Sequence, residues 1–315
     1  MDKPNVIVIC GPTASGKTAL SIELAKQING EIISADSMQI YKYMDIGSAK
    51  PTTEEMQGIK HYMLDFVEPD KRYSVAEYKL EAEKCIEEIL SKNKVPIIAG
   101  GTGLYIDSLI YGIEFSDIKI DEEYRNSLEK LCEEKGLETL YNMAVNIDSK
   151  AMETISKNDK KRIMRVLEIY HETGKTKTQQ ELESRKNELK YNYKVYAINW
   201  DREKLYQRIN KRVDIMIENG LIDEVRKLLT NYKNMPTAIQ GLGYKEIKLY
   251  LDGEITKEEA IEKIKMETRR YAKRQFTWFR KNKQTIWVDG ENDIKTNIDI
   301  ILGGINWIVM KQSQR

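Results

Sequence analysis

Residues 6–18 read Val-Ile-Val-Ile-Cys-Gly-Pro-Thr-Ala-Ser-Gly-Lys-Thr, and this stretch decides the fold. An apolar, β-branched run ends in Gly11-x4-Gly16-Lys17-Thr18, and Ala19 to Ala25 then has a helical pattern. A strand before and a helix after are the context that a phosphate-binding loop requires. Glycines let the backbone wrap an anion closely. The successive N–H groups of Gly11, Thr13, Ala14, Ser15 and Gly16, together with the helix N-terminus, supply partial positive charge. Lys17 adds a mobile full charge, and the Thr18 hydroxyl is placed to ligate Mg2+. The stretch predicts a phosphate or diphosphate site without specifying the compound.

Outward from the loop, short apolar runs alternate with helical patterns. Glu31–Ala35 reads as a strand ending at Asp36-Ser37, and His61–Phe66 as a third. Ser74–Leu90 reads as an amphipathic helix with a capping box between Ser74 and Glu77. Val95–Ala99 is a buried strand running into Gly100-Gly101-Thr102-Gly103, followed by a helix through Leu109. This alternation predicts an α/β fold, a P-loop NTPase-like parallel sheet flanked by helices. Ligands gather at the carboxyl ends of such strands, which brings Gly11–Thr18, Asp36-Ser37 and Gly100–Gly103 to one edge. From about residue 113 the pattern becomes charged and helical, with helices near 121–135, 136–145, 149–155 and 158–173. A strand returns at Asn192–Asn199. The expected organisation is therefore a core of residues 1–112 and 194–315 with an all-helical insertion domain over 113–193. Helices near 202–218, 221–231, 243–251 and 257–281, a strand at Thr285–Val288 and a final helix complete the core.

Composition narrows the function. Hydrophobic residues make up 41% and no apolar run approaches eighteen, so no membrane span is expected. The apolar end Ile305–Met310 reads as a docked tail. With no basic-then-apolar leader ahead of the first strand, the chain reads as cytoplasmic. Cys10, Cys85 and Cys132 are widely spaced, against a disulfide framework or a cysteine zinc site. Two histidines, His61 and His171, argue against a histidine base, and a structural role is expected for His61. The net charge is +1, from 51 basic and 50 acidic side chains. Its distribution is uneven: Arg269–Lys283 holds seven basic residues, no acid, and the aromatics Tyr271, Phe276, Trp278 and Phe279, and Lys157–Arg165 is also basic. Such runs are either solvated helix faces or polyanion-binding surfaces.

Two motifs are set aside. Gly174-Lys175-Thr176 follows a helix and reads as a glycine stop. Gly241-Leu242-Gly243 lacks the strand and third glycine of a dinucleotide fingerprint. Asp36, on the strand next in order after the loop, suits a metal ligand, a turn cap or a general base. Arg212 shares a helix face with Arg208 and reads either as a surface ion-pair partner or as a diphosphate clamp. Thr102 reads as a helix cap or as a residue approaching a bound base.

Several segments resemble one family closely. They are Gly-Pro-Thr-Ala-Ser-Gly-Lys-Thr (11–18), Asp-Ser-Met-Gln-Ile-Tyr (36–41), Met-Asp-Ile-Gly-Ser-Ala-Lys-Pro (44–51) and Gly-Gly-Thr-Gly-Leu-Tyr (100–105). Later come Asn-Asp-Lys-Lys-Arg (158–162), Gly-Lys-Thr (174–176), Arg-Val-Asp (212–214), Gly-Leu-Gly-Tyr-Lys-Glu (241–246) and Ala-Lys-Arg-Gln-Phe-Thr-Trp-Phe-Arg (272–280). In this order, over nearly the whole chain, they resemble the bacterial tRNA dimethylallyltransferases, also called tRNA isopentenyltransferases. The resemblance implies transfer of a dimethylallyl group from dimethylallyl diphosphate to N6 of the adenosine beside the anticodon in tRNA. It implies Asp36 as general base, with Thr18, Arg212 and Mg2+ acting on the diphosphate. It implies tRNA contacts from Asp36, Ser37, Met38, Gln39, Thr102, Arg125, Lys161, Arg162, Ile163, Met164 and Arg165. The expected state is a monomer. Ser48 stands where the family more often has Thr, and no zinc finger of the larger eukaryotic relatives follows. The competing readings are a P-loop kinase of a small metabolite, a non-enzymatic RNA-binding ATPase module and a prenyltransferase of free adenine nucleotides. Both ATP readings need an acid on the strand beside the loop, where Ile97-Ile98-Ala99 runs into glycines.

Overall fold

The computed structural model describes residues 3–113, 121–184 and 188–312, the side chains of 184 and 305–312 lying outside what it describes. The chain divides into two compact units. One comprises Met1–Ile106 with Lys190–Arg315 and the other Asp107–Leu189.

The first unit is built on a six-stranded parallel sheet of order β3-β2-β4-β1-β5-β6. Its strands are β1 (Asn5–Cys10), β2 (Gly30–Ala35), β3 (His61–Tyr62), β4 (Val95–Gly100), β5 (Asn192–Asn199) and β6 (Ile286–Asp289). The apolar run of β1 does not alternate because both of its faces are covered, and Val6 to Cys10 are all buried. One apolar layer joins β1, β2, β4, β5 and β6 to α1 (Lys17–Gln27) and α14 (Ile294–Gln312). A second apolar cluster lies among the helices that follow β5, namely α10 (Arg202–Glu218), α11 (Leu221–Asn231), α12 (Tyr244–Leu251) and α13 (Lys257–Phe279), and includes Ile40, Tyr41 and Met44.

The helix α3 (Val75–Ser91) begins with the capping box expected from Ser74 and Glu77. The strand expected over His61–Phe66 is only His61–Tyr62, because Met63 and Asp65 take φ of 62° and 58° and end the pairing. A short helix, α2 (Thr53–Met56), lies in a stretch for which the sequence pattern predicted no element.

The second unit is helical, with α5 (Glu122–Lys135), α6 (Leu137–Ile147), α7 (Ser149–Met152), α8 (Lys160–Thr173) and α9 (Lys177–Ser184). Leu128, Leu140, Ile163, Val166 and Leu167 form its core. Gly174 ends α8 at φ 66°, as a glycine stop does. The helix α9 was not expected from the pattern. The division in sequence between the two units falls within α4, which spans Gly103–Ile110.

Candidate active site

The loop after β1 is held in a wound conformation by residues far away in sequence. Gly11, Ala14 and Gly16 take φ of 144°, 61° and 94°. Ala14 is the costly one, since a Cβ disfavours this region. Its carbonyl accepts from Arg208 Nε at 2.9 Å, and the next carbonyl, Ser15, accepts from Trp200 Nε1 at 3.0 Å. The Arg208 guanidinium rests on the Trp200 ring, 4.4 Å from its centroid. Arg208 therefore secures the loop backbone, while Arg212, one turn on, lines the cavity in front of it. The helix α1 has no side-chain cap and no acid in its first turn, so its own side chains do not compete for the amides that favour an anion.

That cavity is about 370 Å3, and it takes Thr13, Ala14, Lys17 and Thr18 from the loop and Asp36 and Ser37 from the end of β2. Gly100 and Gly101 lie between them, and Arg212, Tyr271, Arg274 and Gln275 complete the polar wall. A larger concavity of about 740 Å3 shares Ala14, Lys17, Thr18 and Arg212 with the first. Lys17 of the loop and Arg212 of α10 are thus reached from two sides.

The strand between the loop strand and β2 is β4. A Cβ on its Gly100 would stand 2.2 Å from the Ala35 carbonyl, and one on Gly101 2.4 Å from Gln275 Nε2. Backbone excludes any side chain at Gly100, and at Gly101 one would have to displace the Gln275 amide that bonds there. The strand beside the loop therefore carries no acid at its end, which counts against both ATP readings.

Asp36 accepts the amides of Met38 and Gln39 on Oδ1, at 2.9 and 3.4 Å. Its Oδ2 has no hydrogen-bond partner among the described residues. One carboxylate thus caps its own turn and presents a second oxygen. Thr102 lies just before α4, but its hydroxyl accepts from the Ser37 amide at 2.9 Å and donates to Ser37 Oγ at 3.3 Å. It braces the Asp36 turn. The Gln39 amide is likewise committed, accepting from Ser34 Oγ and donating to the Ser48 and Ala49 carbonyls.

Lys17 donates to the Pro12 carbonyl at 2.7 Å. Burial of its ammonium, with Arg212 adding repulsion, lowers its pKa to about 8 against the opposing pull of Asp36. Burial also lowers that of Arg212, again opposed by Asp36. Two cations held in one recess await an anion. Ser15 Oγ is buried there without a hydrogen-bond partner.

Gln275 joins the two glycine turns, and local spacing gave no sign of it. Its Oε1 accepts the Thr13 amide at 2.9 Å and its Nε2 donates to the Gly101 carbonyl at 2.8 Å. His61, expected to be structural, lines the cavity and has its Nδ1 2.9 Å from the Ile59 carbonyl. The aromatics of Arg269–Lys283 turn inward or carry cations. Lys281 lies over Trp278, Arg280 over Phe276 and Arg274 over Tyr271, and the basic groups themselves remain exposed.

The remaining expected contacts lie in the helical unit. Ile163 and Met164 are core residues there, so within 161–165 only Lys161 and Arg162 are fully exposed. Arg125 Nε and Arg165 Nη1 both reach the buried carboxylate of Glu168, at 2.8 and 3.4 Å.

Residues 39–282 match the family model described as IPP transferase. The chain is 58% identical over 286 residues to the tRNA dimethylallyltransferase of Acetivibrio thermocellus, covering 90% of this chain and 91% of that protein. It is 51% identical over 290 residues to that of Clostridioides difficile, covering 92% and 93%. Among solved structures it resembles the full-length tRNA isopentenylpyrophosphate transferase of Bacillus halodurans, with 41% identity, 99% of each chain covered and a TM-score of 0.73. A eukaryotic dimethylallyltransferase acting on tRNA is 32% identical over 91% of this chain and 74% of that one, with a TM-score of 0.78. With the loop, the Asp36 turn and the two glycine positions assembled on a P-loop-like α/β core, the chain belongs to the IPP transferase family of prenyl transferases.

Proposed function

We propose that the chain transfers a dimethylallyl group from dimethylallyl diphosphate to N6 of the adenosine beside the anticodon of tRNA, releasing diphosphate. The observation that carries this is the shared cavity, in which Lys17, Thr18 and Arg212 face the uncommitted Oδ2 of Asp36. The amine nitrogen attacks C1 of the dimethylallyl group as the C1–O bond to diphosphate breaks. The N6 proton passes to Asp36, and the growing negative charge on the leaving diphosphate meets the loop amides, Lys17 and Arg212. No phosphoryl group moves. A base stacked in RNA has to leave its stack to enter such a cavity.

The donor set fits Mg2+. The Thr18 hydroxyl lines both concavities and has no hydrogen-bond partner among the described residues, and hydroxyl and phosphate oxygens suit a hard cation. Among the described residues the one cluster of three potential carboxylate or histidine ligands is Asp121, His171 and Glu172, in the helical unit. In the cavity Mg2+ would therefore be held by Thr18 and the diphosphate itself, where it neutralises charge on the leaving group. The exposed bases Lys161, Arg162, Arg274 and Lys281 suit the tRNA backbone. The proposed state is a monomer. Among the described residues no helix is long and apolar enough to cross a membrane, which fits a cytoplasmic enzyme.

The test is to incubate the protein with Mg2+, dimethylallyl diphosphate and unmodified tRNA, then digest the tRNA and weigh its nucleosides. One adenosine gains a C5 unit in the wild type. Asp36→Asn loses this product and still binds diphosphate. Consumption of ATP without a prenylated nucleoside would sink the proposal.

A further inference from the structure

The segment between β2 and α2 has little regular structure, and its Tyr43 and Ala49 take φ of 63° and 49°. Such a segment keeps one shape only where its backbone groups find partners outside it. Here the main partner is a single side chain. Glu224, in the first turn of α11, accepts on Oε2 from the amides of Asp45 at 2.9 Å and Ile46 at 2.7 Å. Its Oε1 accepts from the Gly47 amide at 3.1 Å and the Tyr244 hydroxyl at 2.6 Å. Three consecutive amides form an anion-binding concavity, filled by a carboxylate 177 residues from Gly47. Tyr244 is 1% exposed. A Cβ on Gly47 would stand 2.5 Å from its ring, so the loop lies flat against it.

Gly47 itself and, just beyond it, Ser48, Ala49 and Pro51 line the cavity. Gln39 donates to the Ser48 and Ala49 carbonyls and belongs to the turn that Asp36 caps. We infer that Glu224 is a positioning residue for the transfer, fixing the cavity wall at Gly47–Pro51 and, through Gln39, the turn that carries Asp36. This role rests on the transferase reading above. Glu224 itself does not line the cavity; it acts through the loop.

Two variants of the full chain test it. E224Q sets an NH2 group against amides that need an acceptor. Y244F removes one of the four bonds and keeps the ring beneath Gly47. In E224Q the KM for dimethylallyl diphosphate is expected to rise about tenfold or more, while the KM for tRNA stays within about twofold. Y244F shows the same split to a smaller degree. The amides of Asp45, Ile46 and Gly47, which donate to Glu224, exchange with solvent deuterium faster in both variants. An unchanged KM for the diphosphate in both variants overturns the assignment. So does a parallel rise of both KM values with a fall in thermal midpoint, the mark of general destabilisation. If the wild type transfers no prenyl group, the transferase reading fails by itself, and the loop clamp is judged on amide exchange at Asp45, Ile46 and Gly47 alone.

Discussion

Gln275→Glu keeps the shape of the side chain and reverses half of its function. Oε1 still accepts the Thr13 amide, but the group facing the Gly101 carbonyl, now 2.8 Å away, becomes an oxygen. Gln275→Leu, its natural control, keeps most of the volume and abandons both bonds. A buried polar group left without a partner costs about 1–3 kcal/mol. Both orphaned groups border a cavity that admits water, so the low end applies and Q275L should cost ~2 kcal/mol in all. Q275E loses one bond, gains an oxygen–oxygen contact and sets a carboxylate behind the phosphate loop. Repulsion from a single diphosphate charge is on the order of 1–2 kcal/mol at ~10 Å and an effective dielectric near 20. Diphosphate affinity should therefore fall about tenfold or more in Q275L and at least as much again in Q275E, although Glu is the closer match in shape. Calorimetric titration with inorganic diphosphate and Mg2+ measures this, and urea unfolding of the same samples separates it from lost stability. Affinity in Q275E equal to or better than in Q275L would refute the reasoning, as would wild-type affinity in both.

Two further outcomes follow from the geometry. Arg125→Ala leaves the buried Glu168 with only the longer contact to Arg165; it should destabilise the helical unit by about 2–3 kcal/mol and Arg165→Ala by under about 1 kcal/mol, read as hydrogen exchange in α5 and α8. Neutralising Arg274 or Lys281 should reduce the slope of log tRNA affinity against log salt by about 1 each, and an unchanged slope removes that residue from the tRNA footprint.

The core was legible where one local rule decided. The β1 run, the Gly11–Thr18 loop, the Ser74–Glu77 box and the Gly174 stop each follow from residues a few places apart. The third strand was misjudged because Met63 and Asp65 leave the β region in a stretch whose apolar pattern continues. The helix α2 carries a capping box from Thr52 and Glu55 that the same rule could have found. The struts of the site were beyond any local rule. Trp200, Arg208 and Gln275 reach the phosphate loop across 185, 194 and 262 residues, and nothing in their immediate neighbours marks which way they point. In the basic run at 269–283, sequence showed the charges but not that the interleaved aromatics serve as inward packing and as platforms for cations.

The placement of β5 has a consequence for how the molecule is made. Strand β1 pairs with β4 on one side and β5 on the other, and β5 is translated only after the whole of Asp107–Leu189. As the ribosome proceeds, the first strand gains its inner neighbour early and keeps one ladder of amides and carbonyls open until residue 192 emerges. The Trp200, Arg208 and Gln275 struts come later still. Phosphate binding is thus a late property of the growing chain, since pairings of such sequence separation form slowly. A chain released before β5 would hold the phosphate-loop sequence without its struts, and would expose the open edge of β1 to its neighbours.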